Sequence, residues 1–218
     1  MLKPLGQCHL YAFIDEAYRG PRSYEDLAKS LCDGGADIIQ LRMKDAKAEK
    51  ILTAAERIHP ITESAGVHLI INDHLDIARR IPHPFVHMGQ EDFFDEGYTK
   101  ASELHSPKST KQLCIGLSTH APSQAERAIE AGADYVAIGP VFATPTKPTA
   151  TPVTLEYVRW AAENIRIPWF AIGGIHAGNV DQILEAGARS ICVVSDILKA
   201  SDTQKACRFF KSKLQSAS

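Results

Sequence analysis

The strongest constraint on how this chain can fold is a corner that it uses three times. Gly35-Ala36-Asp37-Ile38-Ile39, Gly132-Ala133-Asp134-Tyr135-Val136 and Gly187-Ala188-Arg189-Ser190-Ile191 each follow an amphipathic stretch and lead into a short apolar run. Glycine at the C-terminal end of a helix supplies the left-handed residue that turns the chain back. The run after it, rich in β-branched residues, reads as a buried strand. Three copies of one αβ corner in the same sense predict βαβ units and a parallel sheet.

The same alternation continues along the chain. Strands are expected near 8–14, 37–42, 67–71, 85–88, 112–117, 134–138, 168–172 and 190–194, and helices over 23–33, 47–65, 74–80, about 98–106, 122–131, 154–164, 176–186 and 203–214. No break in composition marks a second domain, so the pattern predicts a single (β/α)8 TIM barrel over residues 1–218, with an open doubly wound sheet as the alternative. At 218 residues the barrel would be compact, yet 44% apolar residues suffice for its core. Residues 93–111 read as a polar surface connection containing a short helix, and residues 140–153, rich in proline and threonine, as a loop.

Composition narrows the function. A net charge of −2 with no block of like charge draws the chain neither to nucleic acid nor to an anionic membrane, so any anion must be held by local groups. Five cysteines without a Cys-x-x-Cys pair read as buried thiols of a cytoplasmic protein. Asp15 and Glu16 interrupt the first apolar stretch, and no run of 18 apolar residues occurs, so neither a secretory leader nor a membrane span is expected.

In a parallel α/β protein the strand ends on one side share a rim, and here nearly every predicted strand runs out into a polar motif. Gln40, Arg42 and Lys44 alternate at the end of the second strand, and a period of two puts them on one face, the inside of a barrel. Buried cations need partners. Pairing with barrel carboxylates would serve, but Arg matches phosphate in two places at once and Lys adds a point charge, so a phosphate ligand is the better explanation. Asn72-Asp73 and Asp92 follow the third and fourth strands. Asp73 could cap the next helix, but two acids from neighbouring strand ends suit Mg²⁺, which prefers one or two carboxylates completed by water and substrate phosphate. This acidic pair would also balance Arg42 and Lys44.

His87 lies in the fourth strand beside this site, where a core role and a substrate-binding role are both open. Pro82 and Pro84 exclude the helix that would align His83 and His87 as zinc ligands. Ser118, in Gly116-Leu117-Ser118-Thr119-His120, lacks the elbow of a nucleophile and suits a hydrogen bond to an anion. Thr144, Thr146 and Lys147 would face the pocket from the loop after the sixth strand. Gly173-Gly174 and Val194-Ser195 end the seventh and eighth strands, where barrels of this kind often bind phosphate.

Taken in order, Gln-Leu-Arg-x-Lys at 40–44, Ile-Asn-Asp at 71–73, Val-His-x-Gly-Gln-Glu-Asp at 86–92, Gly-x-Ser-x-His at 116–120, Gly-Pro-Val-Phe-x-Thr-x-Thr-Lys at 139–147 and Gly-Gly-Ile at 173–175 closely resemble the thiamine phosphate synthase family from about residue 9 to 198. The resemblance implies a transferase that joins an aminopyrimidine methyl diphosphate to a thiazole ethyl phosphate. Gln40, Arg42, Lys44, Asn72, Ser118 and Lys147 would hold the pyrimidine diphosphate, Asp73 and Asp92 the Mg²⁺, and Thr144, Thr146, Gly174, Val194 and Ser195 the thiazole phosphate. Arg42, Lys44, Ser118 and Lys147 would carry catalysis by stabilising the departing diphosphate. Partners would be these small molecules, with a homo-oligomer compatible. The rival readings are a thiazole tautomerase of the same fold, which needs no diphosphate or metal machinery, another phosphate-binding barrel of the isomerase or epimerase type, for which no matching acid and base pair is present, and a non-catalytic binding protein of the same pathway, which binding without turnover would favour. Two departures stand out: the connection at 93–111 looks long for the family, and Asp196 follows Ser195, where a carboxylate would repel a phosphate unless it points away.

Overall fold

The protein is described by a computed structural model covering residues 2–105, 112–144 and 151–217. Eight parallel strands close into a barrel in sequence order. They are β1 (Leu10–Asp15), β2 (Ile38–Arg42), β3 (His68–Asn72), β4 (Phe85–Gly89), β5 (Cys114–Thr119), β6 (Tyr135–Ile138), β7 (Trp169–Ile172) and β8 (Ile191–Val193). The helices are α1 (Glu16–Arg19), α2 (Tyr24–Asp33), α3 (Ala48–Ala65), α4 (Leu75–Ala78), α5 (Gln90–Asp95), α6 (Pro122–Glu130), α7 (Thr154–Asn164), α8 (Val180–Glu185), α9 (Ser195–Leu198) and α10 (Thr203–Ser216). The expected strands are all present, and closure of β8 onto β1, with Tyr11 opposite Cys192, excludes the open sheet.

The repeated corner works as its sequence requires. Gly35, Gly132 and Gly187 have φ of 89°, 89° and 105°, a backbone region that side chains disfavour. At the first two corners an aspartate two residues later then reaches the neighbouring strand. Asp37 accepts from the backbone N–H groups of His9 and Leu10, and Asp134 from that of Ile115. Asp37 also holds Lys3 at 2.6 Å and Lys211 of α10 at 2.5 Å.

Burial alone would raise the Asp37 carboxyl, but Lys211, Lys3 and the two backbone donors outweigh it and bring its pKa to about 2. A folded-state pKa below the unfolded value of about 3.9 means that the stability it contributes is complete above about pH 4 and lost as pH falls toward 2. At about 1.4 kcal/mol per unit, the contribution is roughly 2–3 kcal/mol. Asp37→Asn is therefore expected to lose that much at pH 7, with the gap to the parent shrinking between about pH 4 and pH 2 in urea unfolding. A gap that stays constant with pH would assign the loss to packing.

Inside the barrel, period-two positions build an aromatic layer. Tyr11 stacks on Phe13 with ring centroids 5.3 Å apart, and Phe170 meets Tyr11 and Tyr135 edge-on at 5.3 and 5.5 Å. Gly116 makes room for Tyr135, since a Cβ there would lie 2.0 Å from Cζ of the ring. Burial pushes the thiols of Cys8 and Cys207 up to about 12, leaving them unreactive, and all five cysteines are free. No helix among the described residues is long and apolar enough to cross a membrane.

Several helix boundaries differ from expectation. The helix expected near 98–106 is a short 3₁₀ turn at Ala101–Leu104, while the residues just before the expected 93–111 loop open α5. Glu91 and Asp92 sit in its first turn, where the helix dipole favours acids, and Phe93 plugs the core with no exposed surface. The helix expected over 176–186 shortens to α8 because Ile175 to Asn179 are used to shape the loop after β7.

Candidate active site

The C-terminal ends of the strands surround one pocket. It is lined by Gln40, Arg42 and Lys44 after β2, Asn72 and Asp73 after β3, His87 and Gly89 of β4, Asp92 of α5, Ser118 of β5, Thr144 beyond β6, Gly173 and Gly174 beyond β7, and Val194 and Ser195 beyond β8. Every predicted site residue within the described segments is therefore brought to one place. Thr146 and Lys147 lie outside the described residues.

Polarity changes with depth. The floor is made by buried Gln40 and His87 with Phe13, Ala137, Ile172 and Cys192, while Arg42, Lys44, Asp73 and Asp92 stand toward the rim. A neutral ring below and anionic groups above is the ligand shape that such a gradient accepts.

Arg42 Nη1 meets Asp15 Oδ2 at 2.7 Å, so its partner is the acid that ends β1 rather than the Asp73 and Asp92 pair. This corrects the expected charge balance. Strand pairing sets the contact, because Asp15 stands opposite Arg42 across the β1–β2 ladder. Ala17 N–H donates to the other Asp15 oxygen, fixing the carboxylate that aims the guanidinium. Lys44, exposed at the rim, does act on Asp73.

Asp73 does not cap α4, which has no side-chain cap, and adopts a left-handed φ of 62° instead. Burial raises its carboxyl above the ordinary range, and the charge of Asp92 pushes the same way, against Asn72, Lys44 and His74. Gly89 is what permits this closeness of strand end and helix: a Cβ there would lie 2.6 Å from Asp92 Oδ2. Two carboxylates that disfavour each other's charge are a donor set that a hard divalent cation would relieve.

On the opposite side, the loop after β6 is laced to the end of β7. Val141 N–H donates to Ile172 O at 2.8 Å and Phe142 N–H to Gly173 O at 3.1 Å. Asn179 braces the next loop by donating to Gly174 O and accepting from His176 N–H. Asp196 accepts from Ala177 N–H at 3.1 Å and does not line the pocket, so the expected repulsion of a phosphate by its carboxylate is not built into the site.

Sequence reasoning missed the layer beneath. Tyr11 donates to Gln40 Oε1 and lies 3.1 Å from the Tyr135 hydroxyl, which in turn lies 2.8 Å from His87 Nδ1. Burial raises both phenols well above their usual range, so they remain neutral. Tyrosine at period-two positions with Gln40 and His87 was the available signal. His120 also lines the pocket, with its Nδ1 on Gly139 O.

Comparison with known proteins agrees with this geometry. A family model for thiamine monophosphate synthase matches residues 10–197. A thiamine-phosphate synthase of Thermus thermophilus is 44% identical over 185 residues, covering 83% of this chain and 84% of the relative. One from Halalkalibacterium halodurans is 37% identical over 207 residues, covering 94% and 95%. The solved structure of a thiamine phosphate pyrophosphorylase from Pyrococcus furiosus superposes with a TM-score of 0.85 at 27% identity, covering 99% of both chains. Matched along nearly its whole barrel, and with its polar strand ends gathered in one pocket, the chain belongs to the thiamine monophosphate synthase family and is an enzyme.

Proposed function

We propose that the protein is a transferase that joins 4-amino-2-methyl-5-(diphosphooxymethyl)pyrimidine to 4-methyl-5-(2-phosphooxyethyl)thiazole, releasing diphosphate and thiamine phosphate. The observation that carries this reading is the pocket that gathers Arg42 and Lys44 on one side and the Gly173-Gly174 and Val194-Ser195 strand ends on the other. Gln40, Arg42, Lys44, Asn72, Ser118 and Lys147 take the pyrimidine diphosphate, and Thr144, Thr146, Gly174, Val194 and Ser195 the thiazole phosphate.

The chemistry asks for no strong base or nucleophile. The amino-substituted ring stabilises positive charge on its exocyclic methylene, so the C–O bond breaks ahead of attack. The thiazole nitrogen attacks with its own lone pair and needs no deprotonation. What remains for the protein is to stabilise the departing diphosphate and align the two rings. Arg42, already aimed by Asp15, accepts the growing negative charge with Lys44, Lys147 and the Ser118 hydroxyl. Asp73 and Asp92 suit Mg²⁺ by their hard oxygen donors, and the ion, when bound, would neutralise charge on the leaving group.

The test is diphosphate release by the purified protein, with each substrate and Mg²⁺ omitted in turn. Release that needs both substrates and the metal, with thiamine phosphate formed in equal amount, is expected. Tautomerisation of a thiazole carboxylate phosphate without diphosphate release, or tight binding without turnover, would overturn it.

A further inference from the structure

One side of the pocket is finished by a single turn of helix. Val194 and Ser195 line the pocket, and α9 runs from Ser195 to Leu198. Leu198 N–H donates to Val194 O at 3.0 Å and Lys199 N–H to Ser195 O at 2.9 Å, so the two pocket residues move together with the carbonyl end of the turn. Carbonyls at that end have no partner within the helix and must find one elsewhere. Ile197 and Leu198 are buried and hold the turn against the barrel. Apolar contact is non-directional, so it sets the depth of the turn better than its orientation.

Orientation comes from a cation on another element. Arg22 lies in Gly20-Pro21-Arg22-Ser23 between α1 and α2, where Gly20 leaves α1 with a φ of 63° and Ser23 caps α2 by accepting from Asp26 N–H. Its guanidinium turns toward neutral oxygens. Nη2 donates to Leu198 O at 2.6 Å and to Tyr18 O at 3.0 Å, Nε to Arg19 O at 2.9 Å, and Nη1 to Thr203 Oγ1 at 2.7 Å. Thr203 is buried and opens α10. One planar group therefore joins the end of α1, the end of α9 and the start of α10. A guanidinium fork holds its donors in fixed relation, whereas a lysine ammonium at the same place is a point charge on a flexible stem.

Resting on the thiazole-phosphate side of the proposed activity, we propose that Arg22 is a positioning residue for that substrate: by gripping Leu198 O it sets where Val194 and Ser195 meet the phosphate, while standing outside the pocket itself. The effect is local to one substrate. Arg42 is aimed by Asp15, and Gly174 is braced by Asn179, through bonds that do not involve Arg22. The start of α1 likewise keeps its Asp15 cap and its Glu16–Arg19 pair when Arg22 is changed.

The test is equilibrium binding, which needs no turnover. The parent, Arg22→Lys and Thr203→Val are titrated with 4-methyl-5-(2-phosphooxyethyl)thiazole, with the corresponding thiazole alcohol that lacks the phosphate, and with the pyrimidine diphosphate. Arg22→Lys is expected to bind the thiazole phosphate about 10-fold more weakly, the low end for losing one hydrogen bond to a charged ligand. Its affinities for the alcohol and the pyrimidine diphosphate should change by less than about 2-fold, as for independent sites. Thr203→Val keeps the cation and the bond to Leu198 O but removes one of the oxygens that hold the fork, so a smaller loss of about 3-fold is expected, again confined to the phosphate form. It serves as the second variant should Arg22→Lys fold poorly. Unchanged thiazole-phosphate affinity in both variants overturns the proposal. Equal losses for all three ligands also overturn it, assigning Arg22 to general stability. A parent that binds no thiazole phosphate overturns the reading of the site and the positioning role together. A parent that binds it but releases no diphosphate overturns the activity alone, and the variants' affinities then decide the role of Arg22.

Discussion

Asp92→Ala is expected to lower turnover by at least about 10²-fold, the size of effect seen when one group stabilising a transition-state charge is removed. Asp92 and Asp73 converge from neighbouring elements, and the charge of one raises the carboxyl of the other. In the proposed metal role, taking Asp92 away would leave a single acid to hold the cation against water. Raising Mg²⁺ should therefore recover part of the lost turnover, because weaker binding is offset by concentration. Lys147→Ala should fall by a comparable factor without such recovery, since a lost ammonium is not replaced by a metal ion bound elsewhere. The check is steady-state diphosphate release across a range of Mg²⁺ for both variants. Turnover near the parent in both would remove the leaving-group model.

The largest loss of stability is expected from Gly173→Ala. Its φ of 104° belongs to glycine, and an added Cβ would stand 2.4 Å from both Cα and Cβ of Pro140, backbone and ring atoms that cannot swing aside. Conformational strain of about 1–3 kcal/mol and overpacking of about 1–3 kcal/mol both apply, for a loss of about 2–6 kcal/mol. Gly97→Ala is the control. Gly97 has a similar φ of 90° but nothing within 4 Å of the added atom, so only the strain of about 1–2 kcal/mol remains. Denaturant unfolding of the two variants separates the effects. Equal losses would show that Pro140 yields after all.

Much of this was legible in the chain itself, for reasons that differ between residues. The strands were readable because parallel strands buried on both faces are continuous apolar runs, and the three glycine corners gave their direction. Gln40, Arg42 and Lys44 were readable because a strand alternates with a period of two. The partner of Arg42 was not, although Asp15 ends its own strand one ladder away: choosing it over Asp73 and Asp92 requires the register of β1 against β2. Short helices escaped too. α1, α5 and α9 are four to six residues long, too short for a 3.6-residue period to separate itself from the strand before it. The polar contacts below the pocket were hidden for another reason. Tyr11 and Tyr135 look like ordinary core aromatics, and only their hydroxyls' neighbours distinguish them.

The aspartates at the repeated corners have a consequence for how such a barrel can diverge. Asp37 and Asp134 fasten the N-terminal ends of their strands, while the pocket is made by the opposite ends and the loops beyond them. Changes among the Asp37 partners alter how firmly the barrel is closed without touching a residue that meets a ligand. Adaptation to temperature and choice of substrate thus become separately inheritable traits of one fold.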